Sequence, residues 1–481
     1  MNERKLAKNT IFYTTALASQ KVLSFFYFII LARGIGVENT GKFTFALSFT
    51  SIFAMFLDLG LTQVLIRETA KNQETSEKYL ANIFGFKLLG SAVIYLSVVA
   101  LVNFLGYPEA TKNLVYVSAL VMLVDCYSLS VYGVIRGKQN LFYESLGTIL
   151  NQLTVLVVGS LLIFSKVGLV WIMSVYLLAS LLNFFWSWLN LKRRFNINLK
   201  FSFDWKLWHL LFSLALPFAM AGIFNRIFSF LDIVLLSKLK GDYEVGIYSV
   251  AFKIAFALQF AALAFSASIY PAFSYYFANA KEHLSKLFVK SMYWLVFLAS
   301  PLTFGVISIA DQVIPRVFGV EYAPAVAPLN VLMLSLLFVF LSFPVGAMLN
   351  ACGRQSRNTF NTGLVTLFSL IANLSLIPLF GYMGTAWANL ISYFLLFVLG
   401  IVVIDSIVGY DKKFLLVSFV KIILASLLML VVVLILKNQV HFVVSIASGG
   451  IVYFVGAYLL GLYRWQSVKD LLREFSPRFK T

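Results

Sequence analysis

Long runs of apolar residues recur along the whole 481-residue chain, and they constrain its fold more than any other feature. Each run is about 20 residues long or longer, which is the length a helix needs to cross a hydrocarbon core of about 30 Å. Charged residues make up only 12% of the chain, about half the share that is typical of a soluble protein. Because backbone groups in such a core must satisfy their own hydrogen bonds, the runs predict membrane-spanning helices.

The apolar runs predict an all-α integral membrane protein with about 14 transmembrane helices. The predicted spans are 10–33, 41–66, 80–105, 113–135, 144–165, 169–191, 208–237, 244–276, 287–310, 324–350, 358–379, 384–406, 414–436 and 440–463. Short connections separate them, so no soluble domain is expected.

The distribution of Lys and Arg predicts how the chain is oriented. With the N-terminus in the cytoplasm, the cytoplasmic connections hold about three times as many Lys and Arg residues as the outer ones. An even number of spans then returns the C-terminus to the same side. We therefore expect a multi-pass protein of the cell membrane with both termini cytoplasmic. This bias, facing anionic lipid headgroups, explains the net charge of +18 without nucleic acid as a partner.

Two segments 205 residues apart share the pattern G-x4-G-x-[FY]-x2-A and indicate an internal duplication. They are Gly36–Ala46 and Gly241–Ala251. Five further positions match at an offset of 216, among them Gly137 with Gly353. Six spans per repeat give both repeats the same orientation. The sequence therefore predicts two parallel six-helix lobes around a central cavity, plus two extra C-terminal helices.

This duplication divides the chain into three predicted parts. Residues 1–198 form an N-terminal lobe, residues 199–410 form a C-terminal lobe, and residues 411–481 form the additional helices and a cytoplasmic tail. Because the lobes share their orientation, the axis that relates them lies along the membrane normal.

Basic side chains within the predicted spans are the candidate substrate-binding residues. A charged group at the centre of a bilayer costs about 2.5–3.5 kcal/mol, so it normally faces a cavity or a partner. Lys21 and Arg226 occupy equivalent positions in the two repeats, and Lys253 lies within another span. Bases outnumber acids within the spans. We therefore expect these three residues, together with Arg33, to line a cavity and bind an anionic substrate.

Three acidic residues within the spans, Asp58, Asp125 and Asp232, are the candidate ion-coupling residues. A carboxylate of this kind can take up a proton or a sodium ion. The alternative interpretation is that these acids and bases pair with one another and only fix helix packing. Lys87 and Lys421 lie nearer the ends of their spans, and we expect their side chains to reach the membrane surface.

No arrangement of residues indicates catalysis or a bound metal. His209, His283 and His441 are scattered, and the two cysteines lack the spacing of metal ligands. No nucleophile is placed beside a base, and no carboxylate pair lies in a polar connection. We expect a protein that is not an enzyme, with no catalytic residue, no metal and no cofactor.

Several motifs resemble those of Wzx-type polysaccharide flippases of the multidrug/oligosaccharidyl-lipid/polysaccharide exporter superfamily. In the first half of the chain these motifs are Arg33–Gly36, Gly41–Phe43, Asp58–Leu61 and Leu65–Glu68. In the second half they are Asp232, Gly246–Lys253 and Gly381–Ala386. The resemblance implies a flippase for a polyprenyl-diphosphate-linked oligosaccharide, the repeat unit of a polysaccharide. It implies movement from the inner to the outer leaflet by alternating access, coupled to an ion gradient.

The resemblance also implies the partners of the chain. They are the lipid-linked oligosaccharide diphosphate, membrane lipids and a coupling proton or sodium ion, and we expect a monomer that works beside polysaccharide polymerase machinery. A diphosphate carries about two negative charges, which partly desolvated Lys or Arg bind more strongly than exposed ones.

Three other functions remain open at this point. They are a lipid II flippase, a multidrug exporter of the same superfamily and a non-transporting membrane subunit of a polysaccharide assembly complex. Multidrug cargo is usually cationic, so a surplus of intramembrane bases argues against the exporter.

Overall fold

A computed structural model describes residues 3–462, with side chains from residue 12 onward except that of Phe442. Every regular element of this part is a helix, which confirms the all-α fold class. The α-helices are α1 (Glu3–Asp58), α2 (Leu61–Lys71), α3 (Ser76–Phe104), α4 (Glu109–Gly137), α5 (Phe142–Phe164), α6 (Leu169–Phe195), α7 (Trp205–Lys240), α8 (Asp242–Ala257), α9 (Phe260–Asn279), α10 (Lys281–Val317), α11 (Val326–Ala351), α12 (Gln355–Phe380), α13 (Tyr382–Asp405), α14 (Lys412–Leu436) and α15 (Phe442–Leu459). A 3₁₀ turn, Val320–Ala325, precedes α11. The predicted cytoplasmic tail lies outside the described residues.

Twelve helices of the described chain are long and apolar enough to cross a membrane. The first of them, Phe12–Asp58, has 47 residues and contains two predicted spans. A shorter apolar helix, Val443–Leu459, lies near the end of the described chain. Together these account for the fourteen predicted spans, and the chain is a multi-pass membrane protein.

Gly36 divides α1 into its two spans. Its backbone, with φ 77° and ψ 173°, lies in a region that is essentially restricted to glycine. Gly241 is the matching glycine between α7 and α8, and its backbone has nearly the same conformation, with φ 88° and ψ −178°. The duplicated sequence pattern therefore specifies the same bend twice.

The two bends pack against each other through the second glycine of each pattern. A Cβ atom on Gly41 would overlap the carbonyl oxygen of Asp242, and a Cβ atom on Gly246 would overlap the carbonyl oxygen of Val37. Val37 and Asp242 are themselves 205 residues apart. The bend in the first repeat therefore contacts the bend in the second repeat, and the two halves of this contact use equivalent residues. The structure thus contains the duplication at the offset of 205 as a reciprocal contact between helices.

Replacing Gly41 by valine should destabilise the protein, because the new side chain would displace the backbone at Asp242. Overpacking of this kind costs about 1–3 kcal/mol. The melting temperature of the detergent-solubilised protein should fall for Gly41→Val and also for Gly246→Val. The control is Gly168→Ala, whose Cβ would meet open space. Melting temperatures equal to wild type for both valine variants would contradict the reciprocal contact.

At the ends of α4 and α11 the predicted offset of 216 differs from the structural one by two residues. α4 and α11 end with the same hydrogen bond, from Asn140 N to Ile135 O and from Arg354 N to Leu349 O, which places the equivalent residues 214 apart. Matching Gly137 with Gly353 gives a different offset because these glycines are not structurally equivalent. The residue with a left-handed backbone after α4 is Gln139, with φ 57°, and the corresponding residue after α11 is Gly353.

Two predicted spans are interrupted in the structure. The span 41–66 breaks after α1, where Leu59 and Gly60 both have positive φ, 44° and 74°. A Cβ atom on Gly60 would collide with the backbone of α7, so the tight approach of that helix requires glycine here. The span 244–276 is divided between α8 and α9. Hydropathy does not register such breaks because the residues at them stay apolar.

The chain divides by its internal contacts into two units. The first contains the residues up to Lys253 together with Val317–Tyr322 and Thr359–Ala388, and the second contains the rest. In the core of the first unit, Phe45 stacks on Tyr107 with ring centroids 4.5 Å apart. Every candidate site residue lies in this first unit.

The second unit has its own core around α9, α10, α11 and α14. Hydrogen bonds to main-chain carbonyls join its helices, including one of 2.7 Å from the Tyr453 hydroxyl to Phe297 O. On its surface, Lys437 Nζ and Asp311 Oδ2 form an ion pair at 2.8 Å.

Candidate functional site

Asp58, the last residue of α1, forms a buried ion pair with Lys87 of α3. Lys87 Nζ is 2.7 Å from Asp58 Oδ1 and also donates to Cys126 O and Ser130 Oγ, both at 2.8 Å. Thr62 Oγ1 donates a further hydrogen bond to the carboxylate. Because an ammonium group has three donors, all of them are used. The pair is therefore neutral, and the hydrogen bonding of its cation is complete.

The expectation that Lys87 reaches the membrane surface is wrong, because its side chain is 0% exposed. The long apolar part of the Lys87 side chain could carry its ammonium group to water at the membrane surface. The ammonium instead pairs with the carboxylate of Asp58 on the neighbouring helix, which is closer. Lys421 is half-buried and donates to Leu460 O at 3.0 Å. The role of Asp58 in ion coupling stays a prediction, and its carboxylate already has a cationic partner.

A cavity of about 310 Å³ lies beside this pair. Arg226 of α7, Asp125 of α4 and Asp58 of α1 all line it, and its volume is at the lower end of the range for small-molecule sites, about 300–1,000 Å³. Arg226 and Asp125 are both exposed. The Arg226 guanidinium lies 6.0 Å from the ring centroid of Phe230 and has no ion-pair partner among residues 12–462. The cavity therefore holds one unpaired base and one acid that has no basic partner in that range.

Lys21 and Lys253 form a second group, on α1 and α8. Lys21, Ser24 and Phe28 are spaced i, i+3 and i+7 along α1, so they lie on one face of that helix, and this is the face that Lys253 contacts. Lys253 Nζ is 3.4 Å from Ser24 Oγ and 5.3 Å from the ring centroid of Phe28. Neither lysine forms an ion pair with any residue whose side chain the structure describes, and Lys21 is exposed. This is a cationic pair without an acid.

Arg33 lies just before the bend at Gly36, and its side chain is exposed. It does not line the cavity of Arg226. The bend itself is held by Tyr322, whose buried hydroxyl donates to Ala32 O at 2.9 Å and is 2.9 Å from Thr40 Oγ1. The substrate-binding role of Arg33 stays a prediction.

Asp232 lies buried on α7, apart from the lining of the cavity that contains Arg226. The Tyr248 hydroxyl donates to its carboxylate at 2.7 Å, and the backbone N–H of Ile233 donates at 2.8 Å. No basic side chain of the described region pairs with it. Asp232 therefore has hydrogen-bond donors but no counter-charge, and its ion-coupling role stays a prediction.

Sequence reasoning missed a third charged cluster, formed by Arg136 of α4, Glu144 of α5 and Tyr13 of α1. Arg136 binds Glu144 through two nitrogens, with Nε 2.6 Å from Oε2. The Tyr13 hydroxyl is 3.4 Å from Glu144 Oε1 and accepts from Arg136 Nη2 at 3.3 Å. One feature of the sequence does indicate this cluster: an arginine precedes the short connection between α4 and α5, and a glutamate follows it.

The fold, with its duplicated bends and intramembrane charges, is that of a two-repeat helical membrane protein. Residues 6–277, more than half of the chain, match the family described as polysaccharide biosynthesis protein. The chain belongs to that family, whose curated relatives include flippases and transporters of polysaccharide biosynthesis. A second family, described as MatE, matches residues 217–379. The resemblance to polysaccharide flippases that the sequence motifs indicated is confirmed.

Curated relatives are similar over most of their length. The uncharacterized membrane protein MJ1068 of Methanocaldococcus jannaschii is 24% identical, with 94% of each chain covered. The probable low-salt glycan biosynthesis flippase Agl15 of Haloferax volcanii is 22% identical, with 77% of each covered. The capsular polysaccharide biosynthesis protein CapF of Staphylococcus aureus is 24% identical, with 81% of this chain and 96% of CapF covered.

Two solved structures share the fold. The inward closed conformation of the lipid II flippase MurJ has a TM-score of 0.76 and 18% identity, and the match covers 93% of this chain and 98% of MurJ. The inward-facing conformation of a multidrug resistance MATE family transporter has a TM-score of 0.67 and 17% identity, with 81% and 95% covered. At these identities the likeness concerns the fold and not the cargo.

Proposed function

We propose that this protein flips a polyprenyl-diphosphate-linked oligosaccharide, the repeat unit of a polysaccharide, from the inner to the outer leaflet. The observation that carries the proposal is the Lys21–Lys253 pair in a member of the polysaccharide biosynthesis family. Two neighbouring ammonium groups that have no acid among the described side chains repel each other until an anion binds to both. A diphosphate supplies the charge and several acceptor oxygens for charge-assisted hydrogen bonds.

The movement we propose is alternating access of two lobes, residues 1–198 and 199–410, with residues 411–481 as an addition and both termini in the cytoplasm. The polyprenyl chain stays in hydrocarbon throughout, so only the diphosphate and its sugars cross. Intramembrane bases lower the cost of this crossing because they replace part of the water that the diphosphate loses.

Coupling to an ion gradient is assigned to Asp125. Asp58 is neutralised by Lys87, and Asp232 does not line the cavity, so Asp125 is the carboxylate that faces Arg226 without a basic partner among the described side chains. An ionised Asp125 repels an incoming diphosphate, whereas a proton or sodium ion on it removes that repulsion and leaves the positive charge of Arg226 to attract the group. The ion gradient therefore determines how often the cavity accepts the cargo.

The proposal is tested by reconstituting the purified protein in liposomes with one lipid-linked substrate at a time. We expect a polyprenyl-diphosphate oligosaccharide to become accessible to an added glycosidase at least about tenfold faster than in protein-free liposomes. A lipid II substrate and a cationic dye serve as comparisons. Transport of the dye without flipping of the oligosaccharide would overturn the proposal, and flipping of lipid II alone would reassign the cargo.

The same liposomes test the coupling. A proton or sodium gradient should change the flipping rate of the wild type, and Asp125→Asn should flip at a rate that no longer depends on either gradient. The matched control is Asp311→Asn, whose carboxylate pairs with Lys437 in the second unit and should keep the dependence. Equal gradient dependence in Asp125→Asn and the wild type would exclude Asp125 as the coupling residue.

A further inference from the structure

A groove lined by aromatic rings lies on the first unit and shares no lining residue with the cavity of Arg226. Its volume is about 520 Å³. The rings belong to Phe84, Tyr127, Phe184, Phe185, Trp188 and Phe201, and their contacts are mostly edge-to-face. Phe84 and Tyr127, for example, have ring centroids 5.1 Å apart at an interplanar angle of 88°. The groove therefore offers an almost purely hydrocarbon surface.

One wall of this groove is the extended segment 196–204 between α6 and α7, and that wall is fixed in place. Ser202 N donates to Ala81 O at 3.1 Å, and Asp204 N donates to Asn82 Oδ1 at 2.8 Å. A Cβ atom on Gly85 of α3 would collide with the carbonyl of Ser202, so the segment lies directly on that helix. The groove is thus bounded on opposite sides by α6 and by a segment hydrogen-bonded to α3.

Three basic residues stand at one end of the groove. Lys192, Arg193 and Arg194 form the last turn of α6, are exposed, and form no ion pair with a residue in the described part of the chain. Phe185, Trp188 and Lys192 are spaced i, i+3 and i+7, so they lie on one face of the helix. Lys192 is four residues beyond Trp188, about 6 Å along the axis. The basic last turn of α6 therefore lies directly beyond one end of the aromatic groove.

We propose that this groove binds one anionic glycerophospholipid, with an acyl chain along the aromatic rings and the phosphate at Lys192, while Arg193 and Arg194 add to the positive charge of the same helix turn. The positive charge of the basic turn selects a lipid with an anionic headgroup. The fixed aromatic walls separate the acyl chain of that lipid from the surrounding bulk lipid. Basic pockets between transmembrane helices bind anionic headgroups in this way. The site is independent of the cargo, because none of its residues belongs to the proposed transport site.

Brominated lipids test the site through Trp188. The protein is reconstituted in phosphatidylcholine that contains a small fraction of either phosphatidylglycerol or phosphatidylcholine with dibrominated acyl chains. The signal is the tryptophan fluorescence that wild type has and Trp188→Phe lacks. We expect brominated phosphatidylglycerol to quench this signal at a concentration at least about tenfold lower than brominated phosphatidylcholine. Equal quenching by the two lipids would overturn the proposal.

Two variants separate the headgroup contact from the chain contact. Lys192→Gln/Arg193→Gln/Arg194→Gln should remove the preference for phosphatidylglycerol, whereas Arg354→Gln/Arg357→Gln/Lys413→Gln, which loses the same charge elsewhere, should keep it. Leu88→Trp fills the groove without changing the charge. Native mass spectrometry should then show loss of the one phosphatidylglycerol that wild type retains. Retention of that lipid by Leu88→Trp and by the basic-turn variant would also exclude the site.

Discussion

Replacing Lys21 or Lys253 by alanine should reduce the flipping rate at limiting cargo by at least about tenfold. Each ammonium donates to an ionised phosphate in the proposed complex, and a hydrogen bond to a charged group contributes about 1.5–3 kcal/mol. That range corresponds to about tenfold to 150-fold in affinity. The liposome assay measures the loss directly. In cells, the amount of polysaccharide at the surface should fall while the amount of inserted protein stays constant.

Matched variants show whether this loss reflects charge at the site. Lys21→Arg keeps the charge and should keep most of the rate. Lys71→Ala removes an exposed lysine that pairs with Glu68 on α2, and should behave as wild type. The double variant Lys21→Ala/Lys253→Ala should lose less than the product of the two single effects, because both lysines act on one diphosphate. A wild-type rate in the double variant would exclude the pair from the transport site.

The parts of the fold that depend on local sequence were predictable. Apolar runs specify spans because the requirement for an apolar helix acts on each run separately. The bends at Gly36 and Gly241 were visible as a repeated glycine pattern because only glycine tolerates their backbone conformation. The break at Leu59 was not visible, since it depends on how closely α7 approaches Gly60.

The pairing of charges was not predictable, because it depends on which helices become neighbours. Asp58 and Lys87 were assigned to different roles, yet they are 2.7 Å apart. Lys21 was matched with Arg226 by the repeat, whereas the structure places it on the face of α1 that Lys253 contacts through Ser24 and Phe28. The repeat shows which positions in the two halves of the chain are equivalent. It does not show which side chains are close together in the folded protein. Only the packing of α1 against α3 and α8 decides that.

Replacing Lys87 by methionine should cost about 3–5 kcal/mol of stability, the largest loss expected for any single change described here. The substitution nearly preserves volume but leaves Asp58 as a buried carboxylate without its counter-charge, which is the costly half of a broken buried pair. Unfolding in mixed micelles of mild and denaturing detergent, followed by tryptophan fluorescence, gives the free-energy difference.

Removing both charges should recover much of that loss. Asp58→Leu/Lys87→Met should be more stable than Lys87→Met, since an apolar pair of similar volume often replaces a buried ion pair at little cost. The control Lys71→Met breaks an i, i+3 pair between an exposed lysine and Glu68 and should cost less than about 1 kcal/mol. A cost for Lys87→Met no greater than for Lys71→Met would contradict a buried pair.

The double variant also decides what Asp58 does, because it separates stability from coupling. If Asp58 only neutralises Lys87, the variant should still respond to an ion gradient in liposomes, as the assignment of coupling to Asp125 requires. A folded double variant that flips cargo without gradient dependence would instead move the coupling site to Asp58. Lys87 would then be the group that competes with the ion for that carboxylate.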